Sequence, residues 1–291
     1  MKTVYSLLVL FIIILTCNEI RSQERQPILA ILQVGEAHRI AGVLTKNLDS
    51  AGRMRILDRD QARAAARGAG YSGSFNLSTT EARNLGAAIG CDFFIIFTAD
   101  TLRRSPSTGP AYFESYARVF MVSARTGKLI LWQHPRFKAA SNEESESLLV
   151  AELASSTVRT NYLQAIRNAA EDERAQRQIV SDRVPMIEAA PDDEATAQAE
   201  GLRLPRPYRR LVPRYPETAA EGEIEGVVDV LVDVDAQGEV NKVEVARWAG
   251  FGLDEAALDT VRQLHFFPAM RDGMPVPMRV LLRYNFRRPV Q

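Results

Sequence analysis

A few groups of residues have the types and spacing that chemistry needs. Asp233, Asp235, Gln237-Gly238 and Glu244 repeat much of the spacing of a calcium-binding loop, where oxygens at alternate positions and a glutamate at the twelfth surround a hard cation. His38, His134 and His265 are the candidate bases, and Cys91 the candidate nucleophile. Arg279, Arg283 and Arg287 recur along one face and could meet an acidic partner. Each group also has a plainer reading. The residues around Asp233 alternate apolar and polar at period two, which places strands where a calcium loop has helices, and Gln237 stands where such a loop has Asp or Asn. The histidines fall in unrelated elements, with no nucleophile elbow, metal-ligand pair or glycine-rich phosphate loop beside them. Asp58 and Asp60 precede an alanine-rich stretch and read as helix caps. Cys91 opens an apolar run, where a free thiol behaves as a small hydrophobe. No catalytic residue, metal or cofactor is therefore expected, and the arginine row reads first as a solvated strand face.

The 36 basic and 36 acidic side chains cancel, so no global field draws in nucleic acid or an anionic membrane. With 291 residues and 46% hydrophobic content, the chain has material for two cores. Residues 1–23 are a signal-peptide pattern: Lys2, an apolar run from Leu7 to Leu15, then polar residues ending at Ser22 and Gln23. Counting generously from Tyr5 to Cys17 gives 13 residues, short of the roughly 20 that span a bilayer. Export with cleavage near Ser22 or Gln23 is the first expectation. A retained short anchor and lipid attachment at Cys17 stay open, although Thr16 is a poor residue before a lipidated cysteine. Cleavage leaves Cys91 without an internal partner.

Between residues 24 and 170 the pattern predicts strands and helices in alternation. Ile28 to Val34 reads as a buried strand, and Ile40, Val43, Leu44 and Leu48 line one face of a helix that ends at Gly52. Arg53 to Leu57 is a second strand and Gln61 to Arg67 a second helix. Ser78-Thr79-Thr80-Glu81 is a capping box that opens a third helix, ending at Gly90 before a strand from Phe93 to Ala99. Tyr112 to Ala124 and Leu129 to His134 form a hairpin around Arg125-Thr126-Gly127-Lys128, and one long helix runs from about Asn142 to Ala170. Residues 171–207 read as an acidic, proline- and alanine-rich linker between two independently folding halves.

Residues 208–291 carry the clearest pattern. Val228, Val230, Val232 and Val234 alternate with polar residues, Ala236-Gln237-Gly238 turns the chain, and Val243 and Val245 point inward on a second strand. Asp254 is expected to cap a helix with Leu253, Ala257, Val261 and Leu264 inward. A third strand, Val276 to Phe286, sets Val276, Met278, Val280, Leu282 and Tyr284 against Arg279, Arg283 and Arg287.

Pro213-Arg214-Tyr215-Pro216, Glu225-Gly226-Val227-Val228, Asp235-Ala236-Gln237-Gly238, Leu253-Asp254-Glu255-Ala256-Ala257 and Phe267-Pro268-Ala269 with Asp272-Gly273 resemble, in order and spacing over about residues 205–288, the carboxy-terminal domain of the TonB family. Arg55 to Arg59, Leu85 to Phe93 and Arg118 to Leu131 resemble the α/β domain shared by curli-secretion lipoproteins and the TolB amino terminus. The fold class implied is α+β, a mixed α/β sandwich followed by a three-stranded antiparallel sheet with helices. A crossover from the second strand over the first to the third leaves the third at an edge. The resemblance implies that this edge binds partners by strand addition through Val276, Arg279, Val280, Leu281, Arg283 and Tyr284, with Tyr215 and Pro216 beside it. It implies a non-enzymatic protein of the periplasm or cell envelope. Its partners would be other envelope proteins, such as TonB-dependent outer-membrane receptors or an assembly complex, or a second copy in a homodimer, and no nucleic acid. The alternative is an inner-membrane-anchored energy transducer that couples a motor to outer-membrane transport. Against it stand the short hydrophobic segment, the absence from it of the polar and histidine positions that family anchors use, and the lack of a long proline-lysine or proline-glutamate tract.

Overall fold

A computed structural model describes residues 26–36, 38–181, 187–191 and 194–288; the expected signal segment lies outside them. The first sheet is built on β1 (Ile28–Gln33), with β2 (Arg55–Ile56) and β3 (Phe93–Arg104) parallel to it on either side. β4 (Tyr112–Ser123) runs antiparallel to β3 along its whole length, and β5 (Leu129–Gln133) and β6 (Arg136–Ala139) both pair with β4. Helices α1 (His38–Asp49), α2 (Arg59–Gly68) and α3 (Thr79–Ile89) connect the strands, and α4 (Asn142–Leu153) and α5 (Ser156–Ser181) follow them.

The apolar run of β3 is continuous because both its faces are covered. Phe93, Ile95 and Phe97 enter the layer beneath α1, α4 and α5, while Phe94 and Ile96 face α2 and α3. The caps fall where expected: Asp58 accepts from the amides of Asp60 and Gln61 at 3.0 Å, and Ser78 and Glu81 close a reciprocal box at 3.1 and 2.7 Å. The single long helix expected over 142–170 is instead two. Ser155 interrupts it, its hydroxyl accepting from the Val158 amide at 3.1 Å to cap the second.

The second sheet has the order β11 (Val240–Arg247), β10 (Gly226–Val234), β15 (Met278–Phe286), β7 (Glu188–Ala189). After β7 (Glu188–Ala189) come α6 (Glu194–Ala199), β8 (Leu202–Arg203), β9 (Arg206–Pro207) and α7 (Glu217–Glu221). Then follow β10 (Gly226–Val234), β11 (Val240–Arg247), α8 (Leu253–Val261), β12 (Phe266–Phe267), β13 (Ala269–Arg271), β14 (Met274–Val276) and β15 (Met278–Phe286). Val228, Val230, Val232 and Val234 are buried beneath α8, as their alternation predicts. Asp254 does not cap α8, since Gly252 holds that place. Its carboxylate turns back instead to accept from the amides of Ala249 and Gly250 at 2.8 and 3.0 Å, and burial pushes its pKa up to about 6.

Residues 171–207 do not behave as a solvated spacer where they are described. Helix α5 continues to Ser181, β7 joins β15, β8 pairs with β13, and β9 pairs with β12. Ala197 and Leu202 are buried with Ala269 and Met278, an apolar gain that a proline- and acid-rich composition conceals.

The two sheets share one hydrophobic core. Phe120 and Val122 of β4 and Leu85 of α3 lie in the same cluster as Trp248, Phe251 and the valines of β10. The Phe120 ring is 5.6 Å from Trp248 and 5.5 Å from Phe251, and the Trp248 indole N–H donates to the Gly127 carbonyl at 3.0 Å. Gly250 has φ +72°, and a Cβ there would lie 2.6 Å from the Phe120 ring, so only glycine lets the backbone come this close. Asn76 completes the joint: its amide group donates to the carbonyls of Val227 and Trp248 and accepts from the Val227 amide.

A shared core predicts cooperative unfolding. In urea, circular dichroism and tryptophan fluorescence should report coincident transitions, and Trp248→Ala, which removes a side chain only 1% exposed, should cost about 3–5 kcal/mol. Two separate transitions, with one half untouched by the substitution, would contradict this joint.

Candidate partner-binding edge

Strand β15 pairs with β10 from Val234↔Met278 to Gly226↔Phe286 without a break. On its other side, among the described residues, β7 alone pairs, at Met278 and Arg279. The direction of that contact orients the whole edge. The Ala190 amide donates to the Arg279 carbonyl at 2.7 Å, so the polar backbone groups of Arg279 point away from β10. A residue's N–H and C=O point to the same side of a strand, and successive residues alternate. Leu281, Arg283 and Asn285 therefore also present their amides and carbonyls outward, while Val280, Leu282 and Tyr284 pair with β10. Among the described residues no strand meets Leu281, Arg283 or Asn285 on that side.

Two arginines of the row are paired with buried carboxylates, although the Arg283 side chain stays 56% exposed. Arg279 grips Asp233 through Nε at 2.5 Å and Nη2 at 2.8 Å, and Arg283 grips Asp229 at 2.7 and 2.9 Å. These are fork-to-carboxylate pairs between positions directly opposite in the ladder, where side chains lie close. Asp229 and Asp233 are each 4% exposed, and the hydrogen bonds they accept, together with their charge, hold both guanidinium groups above the usual arginine range. Asp229 has a second partner in Arg247 at 3.4 Å, and Arg247 also reaches Glu81 and the Asn76 carbonyl at 3.0 Å, tying the clamp to the first sheet. Between the clamps Leu231 faces Leu281, which is 51% exposed.

Val276 does not belong to this edge. Pro277 separates it from β15, and it pairs with Ala269 in the short β13–β14 hairpin. Tyr215 donates its hydroxyl to the Ile224 carbonyl, and Pro216 leads into α7, so both serve the local fold near the end of β15. Arg287 follows the last residue of β15. Missing from the sequence reading is a wall opposite the edge. Residues 207–213 and Leu264 face Leu282 to Phe286 across a groove of about 490 Å³. The cluster of arginines between Leu202 and Tyr215 was the available signal.

The other candidate residues are used structurally. Asp233 is held by Arg279, and Asp235 accepts from the amides of Gln237 and Glu239 at 2.9 Å, closing the hairpin turn. Among the described residues no group of three or more His, Cys, Asp and Glu side chains is placed to hold a metal ion. His134 lies edge-on to Tyr116 and Phe251, and burial, with Arg118 and Arg136 nearby, lowers its pKa to about 4. His265 contacts Glu239 at 3.0 Å, and burial pushes the Cys91 thiol up to about 12. No described helix is long and apolar enough to cross a membrane.

Residues 212–287 match the family described as Gram-negative bacterial TonB protein C-terminal. Protein TonB of Vibrio cholerae is 37% identical over 79 residues, which are 27% of this chain and 32% of that relative. The match thus spans about a third of the relative's length. Among solved structures, the TonB carboxy-terminal domain of Pseudomonas aeruginosa covers 30% of this chain and 89% of its own, at 23% identity and a TM-score of 0.26. A lipoprotein of Neisseria meningitidis covers 48% of this chain and 97% of its own, at 16% identity and a TM-score of 0.30.

The two clamps should differ in what they contribute. Arg279→Ala leaves Asp233 buried with no second arginine among the described residues and should cost about 2–4 kcal/mol, the range for breaking a buried pair discounted for partial exposure. Arg283→Ala should cost less, because Arg247 stays beside Asp229. Urea midpoints of the two variants measure this, and the reverse ranking would contradict it.

Proposed function

We propose, from the match of residues 212–287 to the TonB carboxy-terminal domain, that this chain is a non-enzymatic protein of the cell envelope that captures extended segments of partner proteins by strand addition to the outer edge of β15. The observation that carries this is the outward set of backbone groups at Leu281, Arg283 and Asn285. These donors and acceptors are strung along a strand whose register is held by buried ion pairs, and they lie beside a groove that can take side chains. An added strand gains main-chain hydrogen bonds from the edge and specificity from the groove. The division we propose is an α/β scaffold over residues 24–170, a connecting stretch over 171–207, and the partner-binding domain over 208–291. The partners we propose are envelope proteins with an accessible extended segment, met in the periplasm.

Proline removes the amide donor that an incoming strand requires. Leu281→Pro should abolish binding of a fluorescein-labelled valine-threonine repeat peptide to the full chain, measured by anisotropy, while the far-ultraviolet spectrum keeps its shape, because only the outward donor is lost. Val230→Pro sits between two paired strands and should unfold the second sheet. A folded Leu281→Pro protein that binds like the parent would refute strand addition at this edge.

A further inference from the structure

The chain is neutral overall, yet one face of it is not. Antiparallel pairing sets Arg206 directly opposite Phe267 and Pro207 opposite Phe266, so β9 and β12 share an inner and an outer face. Phe266 is 1% exposed and belongs to the core, which makes the other face the outer one. Phe267 and Arg206 therefore point outward, and Tyr208, two residues on, returns to the same side. The rings of Tyr208 and Phe267 lie 4.4 Å apart, and the Tyr208 amide donates to the His265 carbonyl at 2.8 Å, which holds the pair in place.

These apolar side chains are open to solvent. Tyr208 and Phe267 are 58% and 54% exposed, and Val212, on the loop that follows β9, is 82% exposed. Arg206, Arg209 and Arg210 accompany them, all exposed and with no carboxylate partner among the described residues. Arginines elsewhere around the second sheet are committed: Arg271, Arg279, Arg283 and Arg288 each have a carboxylate within 2.9 Å. No acidic residue falls between Leu202 and Tyr215, and Glu239, beside this ladder, contacts His265 at 3.0 Å. Arg214 lies apart, in a groove with Glu217 and Asp259.

We infer that this face docks on a phospholipid bilayer that carries anionic headgroups. The three guanidinium groups meet lipid phosphates, while Val212 and the ring pair enter the boundary between headgroups and acyl chains, the depth that aromatic side chains favour. A free phosphate or an acidic protein satisfies the arginines and leaves three large apolar side chains in water, and nucleic acid is drawn by a broad field that the neutral chain lacks. Each arginine near an anionic surface raises partition about fivefold, and apolar insertion adds a second, weak signal, so the two together give reversible attachment. Residues 207–213 form one wall of the groove whose other wall is β15, so docking holds the open edge beside the membrane. Docking needs no added strand and stands apart from capture at that edge.

The test is cosedimentation of the full chain with vesicles of phosphatidylcholine, either alone or with about one-third phosphatidylglycerol. The parent should partition strongly only onto the anionic vesicles, and added salt should weaken it. Arg206→Gln/Arg209→Gln/Arg210→Gln, with an unchanged melting temperature, should lower that partition about a hundredfold, at about fivefold for each arginine. Leu281→Pro should sediment like the parent, because capture at β15 plays no part. In Val212→Trp the new indole should shift to the blue and be quenched by brominated lipid, while the parent, whose tryptophans are Trp132 and Trp248, should show neither change. No partition by the parent, or equal partition by the triple variant, overturns docking through this face. Partition without quenching at residue 212 overturns insertion of the apolar side chains. Labelled polyglutamate that binds through the three arginines and is not displaced by anionic vesicles makes the occupant an acidic protein and overturns the bilayer.

Discussion

A carboxylate that is 4% exposed must have its partner within reach, and strand β10 carries two of them. Asp229 and Asp233 are matched to Arg283 and Arg279 on the adjacent strand, each through a two-point contact. A slip of β15 by one residue would put Val280 and Tyr284, or Met278 and Leu282, opposite the carboxylates, strand both charges, and turn the inward side chains out of the core. The ion pairs thus allow one register. That register decides which backbone groups of β15 serve β10 and which point away, so the pattern of donors and acceptors at the edge follows from charges buried on the opposite side of the strand.

The same clamp connects to the rest of the molecule through Arg247, which reaches Asp229 on one side and Glu81 and the Asn76 carbonyl on the other. Below it Trp248, Phe251 and Phe120 make the two sheets one packed body. An edge carried on such a base is presented in a fixed orientation, which reduces the entropy cost of ordering it when a partner binds. The short strand β7 covers the first two residues of that edge, with Glu188 held by Arg271 at 2.7 Å, and leaves the remainder to the groove.

Much of this was legible in the sequence wherever local rules decide the outcome. The valines at 228, 230, 232 and 234 are period-two burial, Ser78 and Glu81 are a capping box, and the turn at Gln237-Gly238 follows from Asp235 accepting its own backbone. Connection rules put the third strand outside the other two, but they do not foresee β7, which pairs with its first two residues and makes the sheet four-stranded. What escaped depends on residues far apart in the chain. Arg279 and Asp233 are 46 positions apart, so an arginine that alternation assigns to solvent is bound to a buried acid. The joint of Asn76 with Val227 and Trp248, and the pairing of residues 188–207 with the last strands, leave no periodic trace. Val276 was misassigned because the alternation runs on through Pro277, although proline cannot continue the ladder.

Amide hydrogen exchange across β15 tests the open edge most directly, because it reads each backbone donor separately. In the free protein the amides of Leu281, Arg283 and Asn285 should exchange quickly while those of Val280, Leu282 and Tyr284 are protected by β10. Adding the valine-threonine repeat peptide should slow the first set and leave the second unchanged. Protection of Leu281, Arg283 and Asn285 already present in the free chain, or no change there when the peptide binds, would contradict an accepting edge.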